Sequence, residues 1–136
     1  MGKLPIIMPR ILIIEDTPAN LQLTMAILEG AGHTALSAPN AEHGLRIAST
    51  EPVDLILMDI RLPGIDGLTA TRLLKDDPRT ARIPIIALTA SAMKGDEQRM
   101  REGGCVGYVA KPIRYRALLD AIDEALAQCK TPTRHD

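Results

Sequence analysis

Five short apolar runs, each followed by a segment of helical period, predict an α/β domain built on a parallel five-stranded sheet with helices on both faces, a three-layer sandwich. Three observations carry this expectation. The runs recur between Arg10 and Ala110, and each ends in a turn that leads to apolar residues spaced three or four apart. The first and third runs are continuously apolar rather than alternating, as strands buried on both faces must be. The length of 136 residues suits one domain with one function.

The elements follow in order. The first strand, Ile11 to Ile14, stops at Glu15-Asp16. Thr17 offers an N-cap hydroxyl and Pro18 a pre-set first turn, after which Leu21, Met25 and Leu28 recur on one face until Gly30 and Gly32 end the first helix. His33 to Ala38 reads as a polar second strand suited to a sheet edge. Asn40 caps a second helix that turns Leu45 and Ile47 inward and ends before Glu51-Pro52. Asp54 to Met58 is the third strand, closed by Asp59. Pro63-Gly64 and Asp66-Gly67 mark a loop, and Leu68 to Lys75 form a third helix stopped by Asp77-Pro78. Ile83 to Leu88 is strand four, closed by Thr89. A short polar helix spans about Gly95 to Glu102, Gly103-Gly104 breaks it, and Val106 to Ala110 makes strand five, ended by Lys111-Pro112. The last helix, about Arg114 to Gln128, carries Leu118, Leu119, Ile122, Ala125 and Leu126 on one face. Residues 1–8 thus read as an N-terminal extension, 9–129 as the folded domain and 130–136 as a polar tail.

Composition narrows the function. Lys and Arg total 16 against 17 Asp and Glu, so no basic excess exists to neutralise phosphates on nucleic acid. With Tyr108 and Tyr115 as the only aromatic residues, base stacking on aromatic platforms is also disfavoured. No apolar run approaches the roughly 18 residues needed to span a bilayer, so no membrane role is expected. Two cysteines, Cys105 and Cys129, make no disulfide framework, which points to the cytoplasm. His33, His43 and His135 lie far apart and read as surface or structural residues.

In an open parallel sheet, ligands bind at the carboxyl ends of the strands where strand order reverses. For the flavodoxin-like order 2-1-3-4-5, strands one and three are neighbours there, so Glu15, Asp16 and Asp59 converge on one crevice. Crowding three carboxylates either raises a pKa or demands a cation. All-oxygen ligation with open positions suits magnesium. Thr89 adds a hydroxyl and Lys111 a point positive charge. A carboxylate, a metal, an ammonium and a hydroxyl together describe phosphoryl transfer to a carboxylate, with Asp59 the best nucleophile.

These motifs are Ile11 to Asp16, Asp54 to Asp59 with Leu62-Pro63-Gly64 and Asp66-Gly67, Ile85 to Ala90, and Tyr108 to Pro112. From about Pro9 to Gln128 the chain resembles the receiver domain of two-component response regulators, spacings included: 43 residues from Asp16 to Asp59, 30 to Thr89 and 22 to Lys111. The resemblance implies that Asp59 accepts a phosphoryl group from the histidine of a sensor kinase or a histidine phosphotransfer protein. It implies magnesium held by Asp16, Asp59 and the backbone carbonyl of Arg61, with Glu15 acting through a water. Thr89 and Lys111 would bind phosphoryl oxygens, Lys111-Pro112 would be cis, and Thr89 with Tyr108 would form a switch that reshapes the face of helix four, strand five and helix five for a downstream target. Such a protein is a binding and signalling switch that catalyses only its own phosphorylation and dephosphorylation. The segments Ala92 to Glu97, Arg101 to Cys105 and Lys111 to Ile113 look like the DivK group of single-domain regulators, which bind and steer histidine kinases.

Two departures from the pattern bear on the site. Glu15 stands where many members have Asp, adding one methylene to the water-mediated contact. Arg61, two residues past the acceptor, would cover the phosphoryl group, whereas Ser91, two past Thr89, would leave an opening. The polar tail closes the chain soon after Lys130, so output is expected through protein contact, with Met93 and Met100 on helix four either as candidate contacts or, equally, with Met100 as core and Met93 as a loop residue. The same chemistry would also serve a phosphate shuttle or sink. A small magnesium-dependent aspartyl-phosphate phosphatase of the haloacid-dehalogenase kind would need an Asp-x-Asp nucleophile after strand one, and Glu15-Asp16-Thr17 lacks it. A flavin carrier would need a phosphate loop and aromatic cover that Thr17 to Asn20 does not provide.

Overall fold

The computed structural model describes residues 9–90 and 93–130. Five strands and five helices alternate: β1 (Arg10–Ile14), α1 (Pro18–Gly30), β2 (Thr34–Ala38), α2 (Ala41–Thr50), β3 (Leu55–Asp59), α3 (Gly67–Asp76), β4 (Ile85–Thr89), α4 (Lys94–Glu102), β5 (Gly107–Ala110) and α5 (Tyr115–Lys130). The strands form one parallel sheet of order β2-β1-β3-β4-β5, the expected flavodoxin-like arrangement. Among the described residues, no helix is long and apolar enough to cross a membrane.

The period-2 geometry of a strand sends successive side chains to opposite faces, so each apolar run feeds two cores. Leu12, Ile14, Ile56, Met58, Ile85 and Ala87 pack under α2, α3 and α4. Ile11, Ile13, Leu55, Leu57, Ile86 and Leu88 pack under α1 and α5. Burying each of the Leu, Ile and Met side chains among them stabilises by roughly 1.5–3 kcal/mol. With no Phe or Trp in the chain, close packing must come from backbone approach and branched aliphatics. Gly44 shows this on α2: a Cβ there would collide with the Ile14 side chain.

Several local features differ from the sequence expectation. Thr17 occupies the N-cap of α1 but makes no side-chain cap; its N–H donates instead to Glu15 Oε2 at 3.2 Å, and Pro18 removes one of the donors that a cap would satisfy. Thr24 is buried on α1 and donates its hydroxyl to the Asn20 carbonyl at 2.9 Å. Strand β4 starts at Ile85 rather than Ile83, because Pro84 has no N–H for the ladder and the Ile83 carbonyl accepts from Lys75 Nζ at 2.8 Å. Helix α5 runs to Lys130, two residues beyond the expected Gln128, and residues 131–136 lie outside the described residues.

The two methionines placed on helix four separate. Met100 is 3% exposed and belongs to the core under α4, while Met93, just before the helix, is 72% exposed. Met100 is therefore unavailable as a surface contact, a consequence of its packing against the sheet with Cys105 and Ala87.

Helix α3 is fixed at its start by Asp66, whose Oδ1 accepts from the Thr69 N–H at 2.8 Å. That hydrogen bond holds the Asp66 carboxyl below its ordinary value of 3.8. A lowered carboxyl contributes stability that is complete above its unfolded value and is lost as pH falls through the folded one. Asp66→Ala is expected to cost about 1 kcal/mol at neutral pH in denaturant unfolding, with the difference from wild type shrinking as the pH drops below that range.

Candidate functional site

The register of the sheet assembles the site. Ile14 of β1 lies opposite Met58 of β3, so the next residues, Glu15 and Asp59, emerge side by side at the carboxyl rim. Asp59 of β3 pairs with Leu88 of β4, and Thr89 pairs with Ala110, which puts Thr89 and Lys111 at the same rim. The Lys111 N–H donates to the Thr89 carbonyl at 2.7 Å, and the Lys111-Pro112 peptide is cis.

One carboxylate oxygen from each of Glu15, Asp16 and Asp59 falls within 4.8 Å of the others. Glu15 and Asp59 are buried and Asp16 is exposed, so the cluster opens to solvent on the Asp16 side. Lys111 Nζ bridges the buried pair, 3.0 Å from Asp59 Oδ2 and 3.3 Å from Glu15 Oε1. The other Asp59 oxygen, Oδ1, accepts from the Arg61 N–H at 3.0 Å. Burial, together with the neighbouring Asp59 carboxylate, raises the Glu15 carboxyl above its ordinary value of 4.5, and Lys111 offsets only part of this. Burial alone would lower the Lys111 ammonium, but Asp59 and Glu15 outweigh it and raise the ammonium above 10.5.

Gly67 is required beneath Asp59. A Cβ there would overlap the Asp59 carbonyl and the Ile60 Cα, so α3 can begin this close to the end of β3 only without a side chain. The Gly67 N–H donates to the Ile60 carbonyl at 3.0 Å and closes the β3–α3 loop.

A cleft of about 300 Å³ opens over Asp59. Arg61, Thr89 and Lys111 line it from the strand ends, and Asp96 and Arg99 line it from α4. The structure thus brings Glu15, Asp16, Asp59, Thr89 and Lys111 to one rim, with the Arg61 side chain at the mouth. Tyr108 lies elsewhere: it is half-buried and lines a separate groove of about 200 Å³ with Val106, Gly107 and residues of α5. Ser91 falls outside the described residues. Sequence reasoning missed Asp96 and Arg99, because a polar helix gives no sign of which side chains overhang a cleft. Their three-residue spacing, one helical turn, is the one signal that could have paired them.

The donor set fits a hard divalent cation. Three carboxylates against one ammonium leave excess negative charge, and the buried Glu15 Oε1 has no hydrogen-bond partner besides the 3.3 Å approach of Lys111.

Comparison with known proteins agrees with this geometry. Residues 11–123 match the response regulator receiver domain family. The chain is 42% identical over 120 residues to a polar-differentiation response regulator DivK of Brucella anthropi, covering 88% of this chain and 98% of that protein. A putative response regulator from Chloroflexus aurantiacus superposes with a TM-score of 0.85 at 29% identity, covering 88% and 98% of the two chains. The receiver domain of a sensor histidine kinase from Pseudomonas aeruginosa, which has a magnesium ion coordinated in its active site cleft, superposes with a TM-score of 0.82 at 34% identity over 89% and 99%.

The crowding of Glu15 has a measurable consequence. A carboxyl with a raised folded value binds its proton more tightly in the folded state, so its ionisation costs stability as pH rises from the unfolded value of 4.5 through the folded one. In chelator-treated buffer, Glu15→Gln is expected to raise the melting temperature at pH 7, and the gain should vanish once the pH is below 4.5. A melting temperature lowered at pH 7 would mean that the ion pair with Lys111 outweighs burial and repulsion together.

Proposed function

The chain belongs to the response regulator receiver domain family, and on that premise we propose that it is a DivK-like regulator that takes a phosphoryl group onto Asp59 from the histidine of a sensor kinase or a histidine phosphotransfer protein. The observation that carries this reading is the Asp59 carboxylate itself. It is 3% exposed, held at one oxygen by Lys111 Nζ and at the other by the Arg61 N–H, both at 3.0 Å, and it faces an open cleft.

Transfer forms a bond between an Asp59 carboxylate oxygen and phosphorus while the bond from phosphorus to the donor histidine nitrogen breaks, its electron pair returning to the imidazole. The chain contributes position and charge to that exchange. Lys111 holds the nucleophile and meets the charge on the equatorial oxygens. Thr89, 7% exposed at the end of β4, donates its hydroxyl to one of them. Magnesium would be held by Asp16, Asp59 and the Arg61 backbone carbonyl, with Glu15 acting through a water, and when bound it would neutralise charge on the incoming phosphoryl group. The cluster of carboxylates within 4.8 Å supports that assignment.

Movement of the Thr89 hydroxyl toward the phosphoryl group would leave room for the Tyr108 ring to swing inward, reshaping the face of α4, β5 and α5. The half-buried setting of Tyr108 beside the groove on that face supports it as the moving part. The altered face would bind a downstream protein target.

Incubation with acetyl phosphate and magnesium, read by intact mass, is expected to give a single phosphoryl adduct that Asp59→Asn lacks. An undiminished adduct on the variant would refute Asp59 as the acceptor. Arg61, exposed at the cleft mouth, is proposed to shield the phosphoryl group from water. Arg61→Ala should speed decay of the phosphoprotein by about threefold, the scale of one exposed charge contact, and an unaltered decay rate would remove Arg61 from the mechanism.

A further inference from the structure

We propose that Arg99 is a second cation of the phosphoacceptor site, held on Asp96 before phosphorylation and drawn to the phosphoryl group afterwards, where it slows hydrolysis. The inference rests on the phosphoacceptor reading of Asp59. Asp96 and Arg99 sit one turn apart on α4, and both line the cleft that Asp59, Thr89 and Lys111 line from the strand ends.

Charge accounting favours the transfer. Lys111 is already shared between Asp59 and Glu15. Phosphorylation adds roughly one more negative charge at the acceptor. Besides Lys111, the cationic side chains that line the cleft are Arg61 and Arg99. The pair that now occupies Arg99 is weak: Nη1 lies 3.6 Å from Asp96 Oδ1, and the Arg99 side chain is 68% exposed. A charge-assisted hydrogen bond would bring these atoms to roughly 2.7–2.9 Å, and exposed pairs contribute little. A phosphoryl group offers the guanidinium fork a denser and better-matched set of oxygens.

The exchange would also reach the helix. Asp96 lies in the first turn of α4, where the positive end of the helix dipole favours a carboxylate. Releasing it from Arg99 changes the charge balance at the α4 N-terminus as the acceptor becomes charged. Arg99, whose charge also helps to hold the Asp66 carboxyl down, would thus be shared between Asp96 on its own helix and the phosphoryl group at the rim of the sheet.

The test phosphorylates the full chain with acetyl phosphate and magnesium, removes the donor, and follows decay of the phosphoprotein by mass at low and high salt. Arg99→Ala is expected to shorten the lifetime about threefold, and Arg99→Gln, which keeps the packing of the stem, should do the same. Arg99→Lys should restore part of the loss, and added salt should narrow the gap between wild type and Arg99→Ala. Asp96→Asn should lengthen the lifetime, and that gain should disappear when Arg99 is also replaced. Unchanged decay in both Arg99→Ala and Arg99→Gln, or an Asp96→Asn gain that persists without Arg99, overturns the proposal. A wild-type chain that takes up no phosphoryl group would sink the phosphoacceptor reading as well, whereas a normal adduct with indifferent Arg99 variants sinks this inference alone.

Discussion

Mutual repulsion among Glu15, Asp16 and Asp59 is the constraint around which the rest of the molecule is arranged. A parallel sheet delivers the carboxyl ends of all its strands to one rim, and order β2-β1-β3-β4-β5 makes β1 and β3 neighbours there. The topology therefore forces the acidic residues that close these strands within 4.8 Å of one another. One ammonium, Lys111, partly relieves the crowding, and burial together with the neighbouring Asp59 still raises the Glu15 carboxyl above its ordinary value. Such a site spends folding stability on chemistry.

The surrounding scaffold tolerates that cost because the sheet beneath is rigid and dry. Both faces of β1, β3 and β4 are buried, and their alternating side chains feed two separate cores. A rim residue on such a strand has little freedom to retreat from its neighbours. Close backbone approach finishes the job at Gly67, where α3 starts almost in contact with the end of β3. The Asp59 carboxylate is in this way held from below by backbone and from the side by Lys111, the kind of preorganisation that charge stabilisation in the proposed group transfer would use.

Helix α4 stands apart from this rigidity. It is the most polar of the five, anchored by Met100 in the core, and it overhangs the cleft with one acid and one base of its own. The β5 side of the same helix borders the groove that holds Tyr108. One element therefore lines both the Asp59 cleft and the groove beside Tyr108, and a change in charge at one has a short physical path to the other.

The fold and the rim residues were legible in the chain alone. Continuous apolar runs, turn residues and helical spacing determine strand and helix with few alternatives, and parallel topology then dictates where Glu15, Asp16, Asp59, Thr89 and Lys111 must meet. Local chemistry was harder to read: Thr17 looked like a cap, but its N–H turned to the Glu15 carboxylate, and Ile83 looked like strand until Pro84 withheld a donor. For Met100 and Met93 the sequence left surface contact and the split into core and loop equally open, and the docking of α4 decided for the split, one into the core and one into solvent. Asp96 and Arg99 reached the cleft for the same reason. Residue type and spacing are properties of one segment, whereas which face of a helix overhangs a site depends on how two segments pack, and that is decided by the tertiary structure.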